Sequence, residues 1–480
     1  MTGASAVLWT ADDVRTAAGG RASAAADWTA EGVSIDSRTV QPGDLFVAIA
    51  GPNFDGHDFT GAAFEAGASA AIVSHVPDGV PTDAPLIVVE DTLGALWDLG
   101  AAGRRRMNGR VAAVTGSVGK TGTKDALQAS LSRFAPTHAS AASYNNQWGV
   151  PLSLARMPRD ASFAVFEIGM NHAGEIEWLS RLVRPHLAII TTVEPVHLAF
   201  FESVVAIADA KAEIFAGLEA GGVAILNRDN AHFDRLAARA QASGVREVIS
   251  FGARDDADAR LVRAVSHPHC SCLSADICGQ AMTYKVGVPG PHWVSNSLAV
   301  LAAVKALGGD LGLAGLALGE LAAGAGRGQR RQVVWPGGSI EIIDESYNAN
   351  PASMGAAVAL LDAAEPRPRG RRIAVLGDML ELGPDASRLH GELADTLAAS
   401  ATDLVFAAGP EMAHLFANLP GELRGSHAAD SESLIPDVLA NVRAGDVVMV
   451  KGSLGSRMGI LVAVLAEAHA ASVRPNGTHA

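Results

Sequence analysis

Short aliphatic runs recur along the chain, each with the length of a buried strand. They fall at 45–50 (LFVAIA), 70–74 (AAIVS) and 86–90 (LIVVE), then at 111–114, 163–168, 187–193 and 223–226, and again at 340–344, 372–376, 403–408 and 446–450. From position 111 the runs alternate with glycine loops and helical stretches, the pattern of a parallel sheet wrapped by helices on both faces. The pattern breaks twice. Arg104-Arg105-Arg106-Met107-Asn108-Gly109 interrupts it once, and Gly324-Ala325-Gly326-Arg327-Gly328 forms a glycine-rich hinge. These breaks predict three domains, 1–109, 110–331 and 332–480: a smaller mixed α/β unit, a central doubly wound sheet and a C-terminal Rossmann-like unit. The arginine run reads as a solvated helix end.

The length of 480 residues agrees with this division, at about 150 residues per domain. Hydrophobic residues make up 49% and charged residues 18%, enough apolar material for several cores. Lys and Arg total 37 against 51 Asp and Glu, a net charge of −14. That balance argues against a general nucleic-acid partner, so any anion site must be local. No run of about 18 apolar residues predicts a membrane span, and the first residues lack a secretory pattern. Cys270, Cys272 and Cys278 are the only cysteines, which fits a reducing, cytoplasmic setting. With His267 and His269 they invite a metal reading, but the knuckle spacing is absent and ordinary packing in a pair of short strands is favoured.

The strongest chemical signal is Thr115-Gly116-Ser117-Val118-Gly119-Lys120-Thr121 after the run at 111–114. A strand entering a glycine loop and then a helix near Lys120 lets backbone N–H groups close on phosphate oxygens. Lys120 can bridge the β- and γ-phosphates, and the Thr121 hydroxyl can ligate Mg²⁺. Val114 stands where the longer glycine motif begins, which points away from common GTPases and motor ATPases. Three further residues follow later strands or helices: Glu167 at the end of a run, His197 beyond the next, and Lys211 in a helical stretch with few other charges. Taken singly they read as a cap or salt bridge, an isolated histidine and an outward-reaching lysine.

Together these residues resemble the Mur ligases, ATP-dependent amide-forming enzymes of bacterial cell-wall precursor synthesis, over nearly the whole chain. The resemblance implies ATP at Thr115–Thr121 and two Mg²⁺ ions served by Thr121, Glu167, His197 and Lys211, the lysine as a CO₂-derived carbamate. It further implies Asn296 and Asp344 for adenine and ribose, and Arg327 for the γ-phosphate. Asp36-Ser37-Arg38 and Asp55-Gly56-His57 resemble the family's UDP-sugar-binding unit, placing Ser37, Arg38, Asp55 and His57 on substrate. Asn145 and Asn146 fall in an asparagine-rich substrate loop in which Gln147-Trp148 replaces a more usual acidic–aliphatic pair. Trp293 and Met170 also depart from the usual residues.

The segment Tyr347-Asn348-Ala349-Asn350-Pro351 resembles the dipeptide-adding branch, with Asn348 and Asn350 on substrate and Asn350 also suited to cap a helix begun by Pro351. The implied substrates are UDP-N-acetylmuramoyl-tripeptide and D-alanyl-D-alanine, joined through an acyl phosphate by a cytoplasmic monomer. Two alternatives stand beside this reading. One is a related ligase adding a single amino acid, or glutamate on a folate-like carrier; the other is a nucleotide-switched binding protein.

Overall fold

The computed structural model describes residues 7–23, 27–51, 53–81, 83–141, 143–195 and 199–468. The aliphatic runs become strands of three main sheets. In the first unit Gly32–Ser34, Asp44–Val47, Ala70–Val73 and Leu86–Val88 lie parallel in that spatial order, with Arg21–Ala22 antiparallel at the edge. The central sheet has nine strands. Arg110–Thr115 lies between Phe163–Glu167 and Leu187–Ile190, and all strands from Thr137–Ala139 across to Ala259–His267 run parallel.

Both faces of this central sheet are covered around the phosphate-loop strand, which is apolar from Val111 to Val114. Ala112 and Val114 enter one core with Leu127, Leu298 and Leu301. Their neighbours Val111 and Ala113 point the other way, toward Phe166, Ile176 and Phe215. Period-two alternation divides the sheet between two hydrophobic layers.

The stretch containing the cysteines is larger than a pair of short strands. Ala259–His267, Cys270–Ile277 and Gln280–Val286 form a three-stranded antiparallel extension of the central sheet. Cys270 and Cys272 share a face across buried Ser271, by the period-two geometry of a strand. Cys278 lies past the other end of that eight-residue strand, which spans roughly 25 Å at the usual rise. One ion cannot join Cys278 to the other two thiols.

The third unit is a six-stranded sheet in which Gly338–Glu345, Val447–Lys451, Arg372–Gly377, Leu404–Ala408 and Arg424–Ala428 run parallel. Its edge strand is Gln329–Trp335, antiparallel to Gly338–Glu345. A boundary at 331/332 would cut this strand, so the C-terminal sheet starts at Gln329, directly after the glycine hinge. The arginine run also differs from expectation. Arg104 is buried, and donates from Nε to Val183 O at 2.7 Å and from Nη2 to Arg184 O at 2.8 Å. Arg106 lies 3.8 Å over the Trp9 ring and donates to Leu8 O and Met157 O. Only Arg105 is exposed. The backbone carbonyls of two units compete successfully with water for these guanidinium groups.

Candidate active site

The carboxyl ends of the parallel strands in the second and third units face one cavity of 810 Å³, the edge on which open α/β sheets bind ligands. Its floor is the loop after Arg110–Thr115. Gly116 has φ +146° and a Cβ there would collide with Thr191 Oγ1; Gly119 has φ +83° and would press its Cβ on Asn296 Nδ2. Neither position accepts another residue without strain. The loop is laced to the next strand's end: Ser117 N donates to Thr192 O at 2.9 Å, and Thr191 Oγ1 donates to Val118 O at 2.6 Å. The helix Lys120–Leu131 begins at the loop's end, so its N-terminal amides face the cavity.

Half-buried Lys120 folds back to donate to Gly116 O at 2.7 Å. Burial and the Arg327 charge lower its pKa, and the Glu167 carboxylate opposes that shift. Thr121 Oγ1 donates to Glu167 Oε2 at 2.7 Å, and Asn145 Nδ2 donates to Glu167 Oε1 at 2.7 Å. Hydroxyl and carboxylate oxygens thus meet at the loop, the hard donors suited to Mg²⁺. Together with the glycine cradle, they fit a nucleotide–Mg²⁺ ligand.

Lys211 does not reach outwards. It is 2% exposed in the helix Val204–Ala212, and burial together with the nearby Lys120 charge lowers its pKa well below the ordinary lysine value. His197 lies outside the described residues. Asn296 is buried in the second turn of the helix Pro291–Ala306, past the helix start, and faces Gly119. Trp293, one turn earlier, packs its ring against Gly122.

Arg327 and Tyr347 line the same cavity with Asn348 and Asn350. Asn350 accepts from Ser353 N at 2.9 Å in a capping box, with Pro351 opening the helix Pro351–Asp362. Asn348 O accepts from the buried Lys451 Nζ at 2.8 Å. Asn146 Oδ1 accepts from Trp148 N and Gly149 N and so starts the helix Gly149–Ala155. Among the ATP-site candidates, Thr115, Gly116 and Asp344 are not part of the cavity lining. The buried Asp344 carboxylate accepts from Gly326 N at 2.9 Å and Ser346 Oγ at 2.6 Å, fixing the hinge.

The first-unit candidates sit apart from this cavity, on the carboxyl edge of their own sheet. Ser37 and Arg38 follow Gly32–Ser34, with Arg38 exposed and paired to Asp36 at 2.6 Å. Asp55 Oδ1 receives His57 Nδ1 at 2.6 Å, while His57 Nε2 accepts from Ser74 N at 2.8 Å. These bonds set His57 as the Nδ1–H tautomer. Sequence reasoning missed Ser143, which touches both Thr121 and Arg327, and Lys124, buried with its amine on Ser140 O at 2.7 Å.

Three family models match successive parts of the chain. The Mur ligase family, catalytic domain, covers residues 29–102, the Mur ligase middle domain 114–304, and the Mur ligase, glutamate ligase domain 326–454. The chain is 36% identical over 454 residues to UDP-N-acetylmuramoyl-tripeptide–D-alanyl-D-alanine ligase of Escherichia coli (92% of this chain, 95% of the relative). It is 33% identical to the Bacillus subtilis protein of the same name (91% and 93%). Among solved structures, MurF from Acinetobacter baumannii superposes with a TM-score of 0.82 at 29% identity, covering 96% and 99% of the two chains. MurF ligase from Thermotoga maritima in complex with ADP gives 0.75 at 26% identity, covering 91% and 97%. Phosphate loop, two facing sheet edges and three matching domains agree: the chain belongs to the Mur ligase family.

Proposed function

We propose that this protein is an ATP-dependent ligase that joins D-alanyl-D-alanine to UDP-N-acetylmuramoyl-tripeptide in peptidoglycan precursor synthesis. The observation that carries the reading is the shared cavity: Lys120, Thr121 and Glu167 on the middle unit face Arg327, Asn348 and Asn350 on the C-terminal side. The tripeptide's terminal carboxylate oxygen attacks the ATP γ-phosphorus, breaking the bond to the β-phosphate bridge and giving an acyl phosphate and ADP. The dipeptide amine, having lost a proton, then adds to the acyl carbon, and inorganic phosphate leaves as the amide forms. Lys120 and Arg327 offset charge on the transferring group, and Mg²⁺ held at Thr121 and Glu167 would supply further electrostatic stabilisation. Positioning two substrates in one cavity supplies up to about 7–11 kcal/mol of the rate enhancement.

Lys211 is assigned as a carbamate. Burial favours the neutral amine, the form that adds CO₂ to give a carboxylate and release a proton. The product replaces that amine with an anion that attracts the nearby Lys120 charge. Intact-protein mass before and after CO₂ depletion reads this directly. Ser37, Arg38, Asp55 and His57 are assigned to the UDP-sugar portion, and Asn145 and Asn146 to the stem peptide, from their places on carboxyl-edge loops. Asp344 and Asn296 are assigned to the nucleoside. Asp344 meets it only when a hinge movement turns the carboxylate from Gly326.

The deciding assay supplies ATP, Mg²⁺ and the UDP-muramoyl-tripeptide with either D-alanyl-D-alanine or a diamino acid, and weighs the product. Product with the dipeptide is expected. Product with the diamino acid alone, or phosphate release without any acceptor, overturns the reading.

A further inference from the structure

Four side chains form a hydrogen-bonded chain from the hinge to the phosphate loop, and their chemistry fixes its direction. A carboxylate only accepts. Glu167 receives Thr121 Oγ1 on one oxygen and Asn145 Nδ2 on the other, both at 2.7 Å. Thr121 has a single hydroxyl proton, and that bond uses it. The 3.2 Å contact between the Thr121 and Ser143 hydroxyls must therefore have Ser143 as donor. Arginine only donates, so Ser143 Oγ accepts from Arg327 Nη2, at 2.9 Å. The order is Arg327 to Ser143 to Thr121 to Glu167, with a fixed cation at one end and a carboxylate at the other, an arrangement that strengthens each link.

Ser143 is what ties this arginine to the middle unit. Arg327 lies 4.1 Å over the Tyr347 ring, but Tyr347 N donates to Gly326 O, so the ring travels with the hinge. Among the described residues, the Ser143 hydroxyl alone accepts a hydrogen bond from the Arg327 guanidinium. Lys120 does not compete, since its ammonium is turned to Gly116 O and Ser117 O.

We propose that Ser143 is a positioning residue that holds the hinge arginine beside the phosphate loop before ATP arrives and hands it to the transferring phosphate. The role rests on the ligase reading above. An unheld arginine must restrict several rotors on meeting the nucleotide, and Ser143 removes part of that cost in advance. The Ser143 hydroxyl is a neutral acceptor, so the charged phosphate oxygens, as stronger acceptors, take the guanidinium from it when they arrive.

The test is a double-mutant cycle of Ser143→Ala and Arg327→Ala in the full chain, with Ser143→Thr as the hydroxyl-restoring variant. Two quantities are read: calorimetric affinity for a non-hydrolysable ATP analogue with Mg²⁺, and kcat and KM with all three substrates. Ser143→Ala is expected to lower kcat about tenfold, as for loss of one hydrogen bond to a charged group, with the KM for the UDP-substrate unchanged. Ser143→Thr should recover most of the loss, and Ser143→Ala should add nothing in the Arg327→Ala background. Additive losses in the cycle, or a Ser143→Ala enzyme with wild-type affinity and kcat, would overturn the proposal. The nucleotide titration needs neither the UDP-substrate nor the dipeptide, so it remains readable if the assigned ligation itself fails.

Discussion

The two junctions between the three units are built on opposite principles. Between the first and second units a single core crosses the boundary: Leu152 and Ala155 pack with Trp9, Val33, Leu96 and Leu99. Polar groups then bolt the seam to backbone carbonyls. Trp9 Nε1 donates to Ala155 O at 2.8 Å, Arg156 Nε to Val33 O at 2.6 Å, and Arg104 and Arg106 reach Val183 O and Met157 O on the far side. Between the second and third units no hydrophobic cluster is shared among the described residues. That junction rests on a glycine hinge and polar contacts such as Arg327 to Ser143 and Ala199 N to Glu381 O at 3.4 Å. Close-packed cores resist deformation, whereas polar interfaces between units yield to domain motion. The first two units are therefore expected to move as one body, with any closing movement of the cavity falling to the third.

The largest test of this contrast is Trp9→Ala. Removing a buried indole costs about 3–5 kcal/mol, read as a lower denaturation midpoint, while kcat per folded molecule stays near wild type. Arg327→Ala is its mirror image. It should lower kcat by about 10²–10³-fold, as for other groups aimed at transition-state charge, and shift stability by less than about 0.5 kcal/mol. If Arg327→Ala also unfolds the protein, or Trp9→Ala abolishes turnover of the folded fraction, the assignment of rigid and moving seams is wrong.

Much of this architecture was legible in the residues, and the illegible parts share a cause. Doubly covered strands such as Val111–Val114 announce themselves because every position is apolar. The edge strand Gln329–Trp335 does not; it is half exposed, and its sequence, QRRQVVW, reads as part of the hinge. Arg104 and Arg106 could not be foreseen as bolts, since their acceptors are main-chain carbonyls, which leave no trace in residue type. Ser143 was hidden for a different reason, its arginine partner lying 184 positions away. Lys211 carries a clue to its burial in its own helix. Its helix, VVAIADAKA, is apolar nearly all round, the mark of a buried helix rather than a surface one.

A smaller effect concerns the buried amine of the middle unit, where burial disfavours the charged form. Lys211 has a pKa well below 10.5 in the fold, so between that lowered value and about 10.5 the unfolded chain binds more protons than the folded one. Stability contributed by this site therefore rises with pH across that window. In metal-free, CO₂-depleted buffer, Lys211→Met should raise the denaturation midpoint at neutral pH, and the advantage should shrink as pH climbs toward 10. The same variant should lose ligation. A stability gain that is flat with pH would mean that the lysine keeps its charge in the fold.

The smallest effect is expected at the cysteines, and it bears on whether the second seam is free to move. The turn Pro268–His269, at the tip of the antiparallel extension, lines a cleft with Arg330, Gln332, Ser339 and Glu341 of the third unit. A metal bound by His267, His269, Cys270 and Cys272 would stiffen that tip against the unit that must swing. Geometry speaks against it: Cys272 is exposed, Cys278 is a strand's length away, and no cluster of three or more metal-binding side chains occurs among the described residues. Cys272→Ser should accordingly change stability by no more than about 0.5 kcal/mol and leave kcat unaltered, and a zinc-selective chelator should not move the midpoint of the nucleotide-free protein. A chelator-sensitive midpoint, abolished by Cys272→Ser, would place a tether across the seam that the hinge leaves open.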